Sequence, residues 1–238
     1  VLITLPNAYG DATTNMALDS ALLQTVPEKT VIFRHYGWVE PTITFGYSQK
    51  RNEVEKLIGS NITLCRRATG GGIVDHRDDW TYTLILHHNT SAAQYTSTLL
   101  YQRIHKAITQ ALSIQKVITK LAPCLRNCKD TPKPRQHSTS QCFLAPVTND
   151  VLLTNGKKIA GAAMKRSRSG LLIQGSIDRT NLPLNFDLEH FTKSLEHSLA
   201  KGISIPLGTF KDIRTLFDHK IIAEQRKIFE SAGWQNRR

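Results

Sequence analysis

Two stretches of this chain carry residue types able to bind a phosphate, a carboxylate or a carbonyl group. The first is Arg66-Arg67-Ala68-Thr69-Gly70-Gly71-Gly72-Ile73-Val74-Asp75-His76. Three consecutive glycines after a strand-like run allow positive φ and a close approach of backbone to ligand. Successive N–H groups in such a bend form an anion nest, and two arginines ahead of it add planar donor forks suited to phosphate or carboxylate. The spacing fits neither a dinucleotide fingerprint nor a Walker loop. The competing reading is a plain glycine turn flanked by surface arginines.

The second stretch starts at Cys142-Phe143-Leu144-Ala145-Pro146-Val147-Thr148-Asn149-Asp150 and continues to Asn155-Gly156-Lys157-Lys158-Ile159-Ala160-Gly161. Asn-Gly between two apolar runs signals a hairpin. Strand alternation sends Lys157 and Lys158 to opposite faces, so one ammonium of the pair can enter a site. Two solvated lysines after a turn would be the bland alternative.

The elements that must position these residues follow from periodicity. Helical spacing marks Asn15–Leu23, Glu53–Ile58, Tyr95–Leu112, Leu188–Leu199 and a last stretch from about Ile213 to Ala232. Short β-rich runs predict strands at Val31–Tyr36, Thr42–Gly46, Ile62–Arg67, Trp80–Leu86, Val147–Thr154, Lys158–Met164 and Leu171–Ile177. Pro123–Gln141, with Pro132 and Pro134, is the least patterned region. No internal repeat or Gly/Ser linker divides the 238 residues, so a single domain is expected. Mixed strands with helices arriving late predict an α+β fold rather than alternating βαβ units.

Composition narrows the function classes. A chain this long buries about three quarters of its unfolded surface and needs no staple to fold. No apolar run approaches the ~20 residues that cross a bilayer, and the start lacks a secretory leader's basic region and long apolar stretch. Four cysteines are too few for a secreted disulfide scaffold, which favours a soluble, reducing, cytoplasmic setting. The net charge of +12 speaks to partners: nucleic acid, an anionic cofactor or an acidic protein. The positives cluster at Lys157, Lys158, Lys165, Arg166 and Arg168, and again at Lys116, Lys120, Arg126, Lys129, Lys133 and Arg135. With 7% aromatic residues and none interleaved there, stacking on single-stranded nucleic acid is disfavoured. Cys124, Cys128, His137 and Cys142 form a weak alternative zinc set, and no metal is expected. Cys65 reads as a small buried hydrophobe, His87-His88 as a solvated strand end, and His76 as a brace of the glycine turn or a catalytic group.

Taken in order, these pieces resemble the catalytic domain shared by lipoate–protein ligases and cysteine-dependent octanoyltransferases, itself related to biotin–protein ligases. The resemblance runs from about Asn15 to Ile177 and includes Thr42–Gln49 and Gly170–Ile177. It implies the biotin/lipoyl-ligase fold and attachment of an eight-carbon acyl group to a lysine of a lipoyl domain. The acceptors implied are 2-oxoacid dehydrogenase acyltransferase subunits and the glycine-cleavage H protein. The acyl site implied comprises Arg67, Thr69, Gly70, Gly71, Gly72, His76, Asn149, Asp150 and Gly161. The lysine that contacts the donor's carbonyl or phosphate falls on Lys158.

Two donors fit the resemblance. A transferase takes octanoate from acyl carrier protein through a cysteine thioester, and Cys142 stands where such enzymes keep their nucleophile. A ligase makes lipoyl-adenylate from lipoate and ATP with Mg. The Gly-Tyr-Ser-Gln ending at Gln49, and a chain too short for an extra C-terminal domain, favour the transferase. The unbroken triplet is ligase-like, and Gln174 departs from the histidine that relatives carry nearby. The thioester route is the expectation, with no tightly bound cofactor, the ligase as its alternative, and a non-catalytic nucleic-acid binder as a remote third.

Overall fold

The computed structural model describes residues 1–59, 61–123 and 146–237. The larger sheet begins with β1 (Leu2–Thr4) and β2 (Ala8–Gly10), each parallel to β3 (Val31–Trp38). It continues antiparallel through β7 (Asp79–His87), β11 (Gly170–Asp178), β10 (Lys158–Arg166), β9 (Val151–Leu153) and β8 (Thr119–Leu121). A smaller sheet has the order β5 (Thr63–Arg66), β4 (Thr42–Phe45) and β6 (Val74–Asp75). Helices are α1 (Ala12–Thr25), α2 (Arg51–Ile58), α3 (Ser97–Ile114), α4 (Leu188–Gly202), α5 (His219–Glu230) and the one-turn α6 (Ala232–Gln235). The α+β expectation holds.

The larger sheet is covered on both faces. Leu100, Ile104, Ile108 and Leu112 of α3, with Phe191, Leu195 and Leu199 of α4, pack on Leu84, Leu86, Leu171 and Ile173. On the other face α1 brings Met16 and Leu22 against Ile32, Ile85 and Leu172. Helix α1 is buried around most of its circumference, so polar Asn15 and Asp19 are buried with it. Asp11 starts α1 by accepting the Thr14 N–H at 2.6 Å, and Thr96 starts α3 by accepting from Leu99.

Two expectations change. The stretch from Ile213 to Ala232 is a 3₁₀ turn at Ile213–Leu216 followed by α5 and then α6. Asp218 separates the first two pieces, because its carboxylate caps the N–H groups of Lys220 and Ile221 and so starts a new helix. The strand expected at Val147–Thr154 shrinks to β9, since Asn149 takes φ 72° and the Val147 N–H turns onto the Asp150 carboxylate. No helix among the described residues is long and apolar enough to cross a membrane.

Candidate active site

The glycine triplet lies in the loop between β5 and β6, and the small sheet presses that loop onto β10. Only Gly71 of the three adopts positive φ, at 86°. Its Cβ direction faces Ala163 of β10 and the Arg67 guanidinium. Close approach is instead demanded at Gly46, just past β4: a methyl group there would collide with the Gly71 carbonyl oxygen. The Tyr47 N–H then donates to the Thr69 carbonyl at 2.8 Å.

Both arginines are buried, so the surface-arginine reading fails: Arg66 is 0% and Arg67 5% exposed. Arg67 donates to the Gly70 and Gly72 carbonyls at 2.9 and 2.8 Å and to the Thr44 hydroxyl at 2.7 Å. Its fork therefore shapes the loop from beneath. Arg66 lies over the Phe45 ring and donates to the carbonyls of Tyr47 and Gln49 and to that of Gln235 in α6. The chain's last helical turn thus braces the base of the loop.

His76 continues the network. Its Nε2 meets the Thr44 hydroxyl at 2.7 Å, and its Nδ1 meets the Asp79 carboxylate at 2.7 Å. Because Thr44 already accepts from Arg67, its own proton can point at Nε2, which assigns the Nδ1–H tautomer from the network. Asp79 also accepts from Thr81 and Ser176, and the Trp38 ring stacks on His76 with centroids 4.2 Å apart. These groups wall one side of a cavity with an empty volume of about 460 Å³, its open mouth included. Met16, Tyr36 and Trp38 give it an apolar lining, while Gly161, Ala162 and Gly175 expose strand backbone along it.

The hairpin ammonium lies behind Gly161, on β10 between β11 and β9. A bulge between Lys158 and Ala160 interrupts the pairing of β9 with β10. Lys158 is 4% exposed and pairs with Asp150 at 2.8 Å. Its Cε and Nζ lie 2.6 and 2.7 Å from where a side chain on Gly161 would begin, with an Asp150 oxygen at 2.9 Å. Gly161 therefore leaves room for the ion pair at a point on the cavity wall, and Asp150 offsets the cost of burying the ammonium. Lys157 is 51% exposed and near Asp178, as the alternation predicts. Asn149 serves the turn: its carbonyl meets His105 Nδ1, and its amide donates to Thr98.

Beneath the loop sits a second network that sequence reasoning missed. Asp19 is 0% exposed and pairs with Arg34 at 2.5 Å. It also accepts from Tyr36, Thr83 and Gln174 at 3.1, 2.8 and 2.7 Å. Burial, and then the Asp19 charge, push the Tyr36 phenol well above its usual range, so it stays a donor. Gln174 in turn accepts from the Thr69 hydroxyl at 2.7 Å. The available signal was Asn15 and Asp19, two polar residues four apart inside an apolar helix.

Of the expected site residues, Arg67, Gly71, His76 and Gly161 line the cavity. Lys158 and Asp150 abut it at Gly161, Thr69 reaches it through Gln174, and Gly70 and Gly72 supply carbonyls to Arg67. Cys142 lies outside the described residues, as do Cys124, Cys128 and His137 of the zinc alternative. Among the described residues no cluster of His, Cys, Asp or Glu could hold a metal. Cys65 is the buried hydrophobe expected, its thiol pushed up to about 11 by burial, and so is no nucleophile at neutral pH. His88 is exposed and His87 half-buried.

Residues 11–216 match the model of the lipoyl protein ligase A/B catalytic domain. The octanoyltransferase LipM of Oceanobacillus iheyensis is 32% identical over 193 residues, which is 79% of this chain and 67% of that protein. The octanoyltransferase LipM of Bacillus subtilis is 33% identical over 68% of this chain and 60% of its own length. The chain thus spans about 60–67% of the length of these relatives. A T. acidophilum protein solved with bound lipoic acid superimposes with TM-score 0.70 at 17% identity, covering 98% of this chain and 97% of that one. A lipoate-protein ligase A solved with ATP gives 0.67 at 17% identity, with the same 98% and 97% coverage. On the family match, the relatives' identity and the shared fold, the chain belongs to the lipoyl protein ligase A/B catalytic-domain family.

Proposed function

We propose that this chain transfers an octanoyl group to the acceptor lysine of lipoyl domains, taking it from acyl carrier protein through a thioester on Cys142. The observation that carries the reading is the buried Lys158–Asp150 pair set against Gly161 on an apolar cavity walled by the glycine loop. The Cys142 thiolate attacks the donor thioester carbonyl; its Sγ–C bond forms, the carrier's C–S bond breaks, and the carrier thiolate takes up the proton that the Cys142 thiol gave up. The acceptor's neutral amine then attacks the new thioester; the N–C bond forms, the Sγ–C bond breaks, and the amine proton passes to sulfur. In both steps the Lys158 ammonium faces the developing oxyanion, and the cavity holds the chain. The relatives named octanoyltransferase support this route, and the inert Cys65 leaves the nucleophile to be sought elsewhere. Acceptors are lipoyl domains and the glycine-cleavage H protein, reached in the cytoplasm. The basic surface speeds encounter with acidic partners.

The test is intact-mass analysis after incubation with octanoyl-acyl carrier protein. One octanoyl adduct, removed by hydroxylamine and absent in Cys142→Ser, is the expected result. The ligase reading draws on the unbroken triplet and on neighbours of the same fold that bind lipoic acid and ATP. It wins if Cys142→Ser still modifies a lipoyl domain when given lipoate, ATP and Mg.

A further inference from the structure

We infer that Gln174 is the positioning residue of the glycine loop: its buried amide ties Thr69 to the Asp19–Arg34 ion pair and so fixes the loop that walls the acyl cavity. The inference deepens the proposed function and takes that cavity as the acyl site.

The chemistry of the neighbours dictates the orientation of the amide. Asp19, an ionised partner of Arg34, can only accept, so Nε2 of Gln174 faces it at 2.7 Å. That leaves Oε1 toward Thr69, whose hydroxyl must donate, also at 2.7 Å. Both ends of the amide are consumed, and the side chain is 6% exposed. Thr69 is the residue immediately before the triplet, and its carbonyl accepts from Tyr47. The loop is therefore held from the small sheet through its main chain and from β11 through the Gln174 side chain. Arg67 shapes the same loop separately, by donating to the Gly70 and Gly72 carbonyls and to the Thr44 hydroxyl.

A neutral donor–acceptor is required at this place. Asp19 from α1 and the Met16 thioether at 3.3 Å meet the amide, and Arg34 and Tyr36 from β3 with Thr83 from β7 bond to the same Asp19 carboxylate. Among the described residues, Arg67 is the other charged group lining the cavity, together with the titratable His76. A protonated glutamic acid reproduces the pattern, its O–H donating to Asp19 and its C=O accepting from Thr69. An ionised glutamate sets like charges against each other.

The experiment compares wild type, Gln174→Glu, Gln174→Leu, Thr69→Val and the Gln174→Leu/Thr69→Val double variant, each checked for folding by circular dichroism. Acyl transfer is followed from about pH 5.5 to 8.5, and amide hydrogen exchange is read in the peptide spanning the triplet. Gln174→Leu loses a buried hydrogen bond to the Asp19 carboxylate and Thr69→Val the buried bond to the Gln174 amide oxygen, so each should lose about tenfold or more in kcat/KM. The double variant should fall no lower than either single, and loop exchange should quicken in all three. Gln174→Glu should approach wild type at the acid end and decline by about tenfold against it toward the alkaline end. A Gln174→Glu profile parallel to wild type, or unchanged loop exchange in Gln174→Leu, would overturn the inference. Should Gln174→Leu not fold, Thr69→Val and its rescue by Thr69→Ser decide the question alone. If the wild type transfers no acyl group from carrier protein or from lipoate with ATP, the activity reading fails, while loop exchange still decides the role of Gln174.

Discussion

The central strand β11 shows the molecule's division of labour on its two faces. Leu171, Ile173 and Ile177 point to the α3/α4 face and join its apolar cluster. Gln174 and Ser176 point the other way and bond to Asp19 and Asp79, while Leu172 packs with α1. One face is a hydrophobic core, and the other is a hydrogen-bonded frame for a cavity. A dry face tolerates few polar groups because each unpaired one costs ~1–3 kcal/mol. The wet face carries many, because nearly all of them are matched. Stability and activity should therefore separate by face, and substitutions on each face test that separation.

The largest effect is expected at Lys158. Its replacement by Ala should cut transfer about 10²–10³-fold, the usual loss for one oxyanion donor. It should also cost about 3–5 kcal/mol in urea unfolding, because Asp150 is left buried without its partner. Pairing Lys158→Met with Asp150→Asn should recover much of the stability and none of the activity. Recovery of transfer in that double variant would remove Lys158 from the chemistry.

On the opposite face, Ile173→Ala should destabilise by about 2–5 kcal/mol through the cavity it opens. Its transfer rate per folded molecule at low temperature should stay close to wild type. A rate that collapses while the protein remains folded would show that the faces are not independent.

Gly46→Ala lies between these cases. The added methyl meets the Gly71 carbonyl, and overpacking of this kind costs about 1–3 kcal/mol. The expected signature is a raised KM for the acyl donor that exceeds the stability loss, since the loop itself must move. An unchanged KM would mean that the triplet's seat on Gly46 is dispensable.

The smallest effect is a slope. Burial, aided by Lys158, holds the His105 pKa below its usual 6.5 against the pull of Asn149 and Asp150. Above that value both folded and unfolded states carry a neutral ring, and His105 adds no pH dependence. As the pH falls through about 6.5 the unfolded chain takes up a proton that the folded chain refuses. Stability then declines by up to ~1.4 kcal/mol per pH unit until the lower folded pKa is reached. Urea midpoints in mildly acid buffer should decline less steeply for His105→Gln than for wild type. Parallel declines would assign the slope to other groups.

Much of the architecture could be read from local pattern. The strands at Val31, Thr42, Trp80 and Leu171 and the helix across Leu100–Leu112 follow from periodicity, because burial of one face imposes it. Asn155-Gly156 announced its hairpin, and the alternation after it correctly separated Lys157 from Lys158. Short elements such as β2, β6 and β8 were illegible, since two or three residues hold no period.

The amino-acid order by itself determined which chemical groups this protein owns: the triplet, the paired arginines, the hairpin lysine and the family they betray. Only the tertiary structure decided what those groups face. Arg66 and Arg67 look like anion forks in sequence, yet folding turns both onto backbone carbonyls, because a tight loop exposes oxygens that need donors. Asp19 and Gln174 lie 155 positions apart and acquire a shared purpose only when α1 is laid across β11. Hydrogen bonds act over about 3 Å of space, whereas sequence records only distance along the chain.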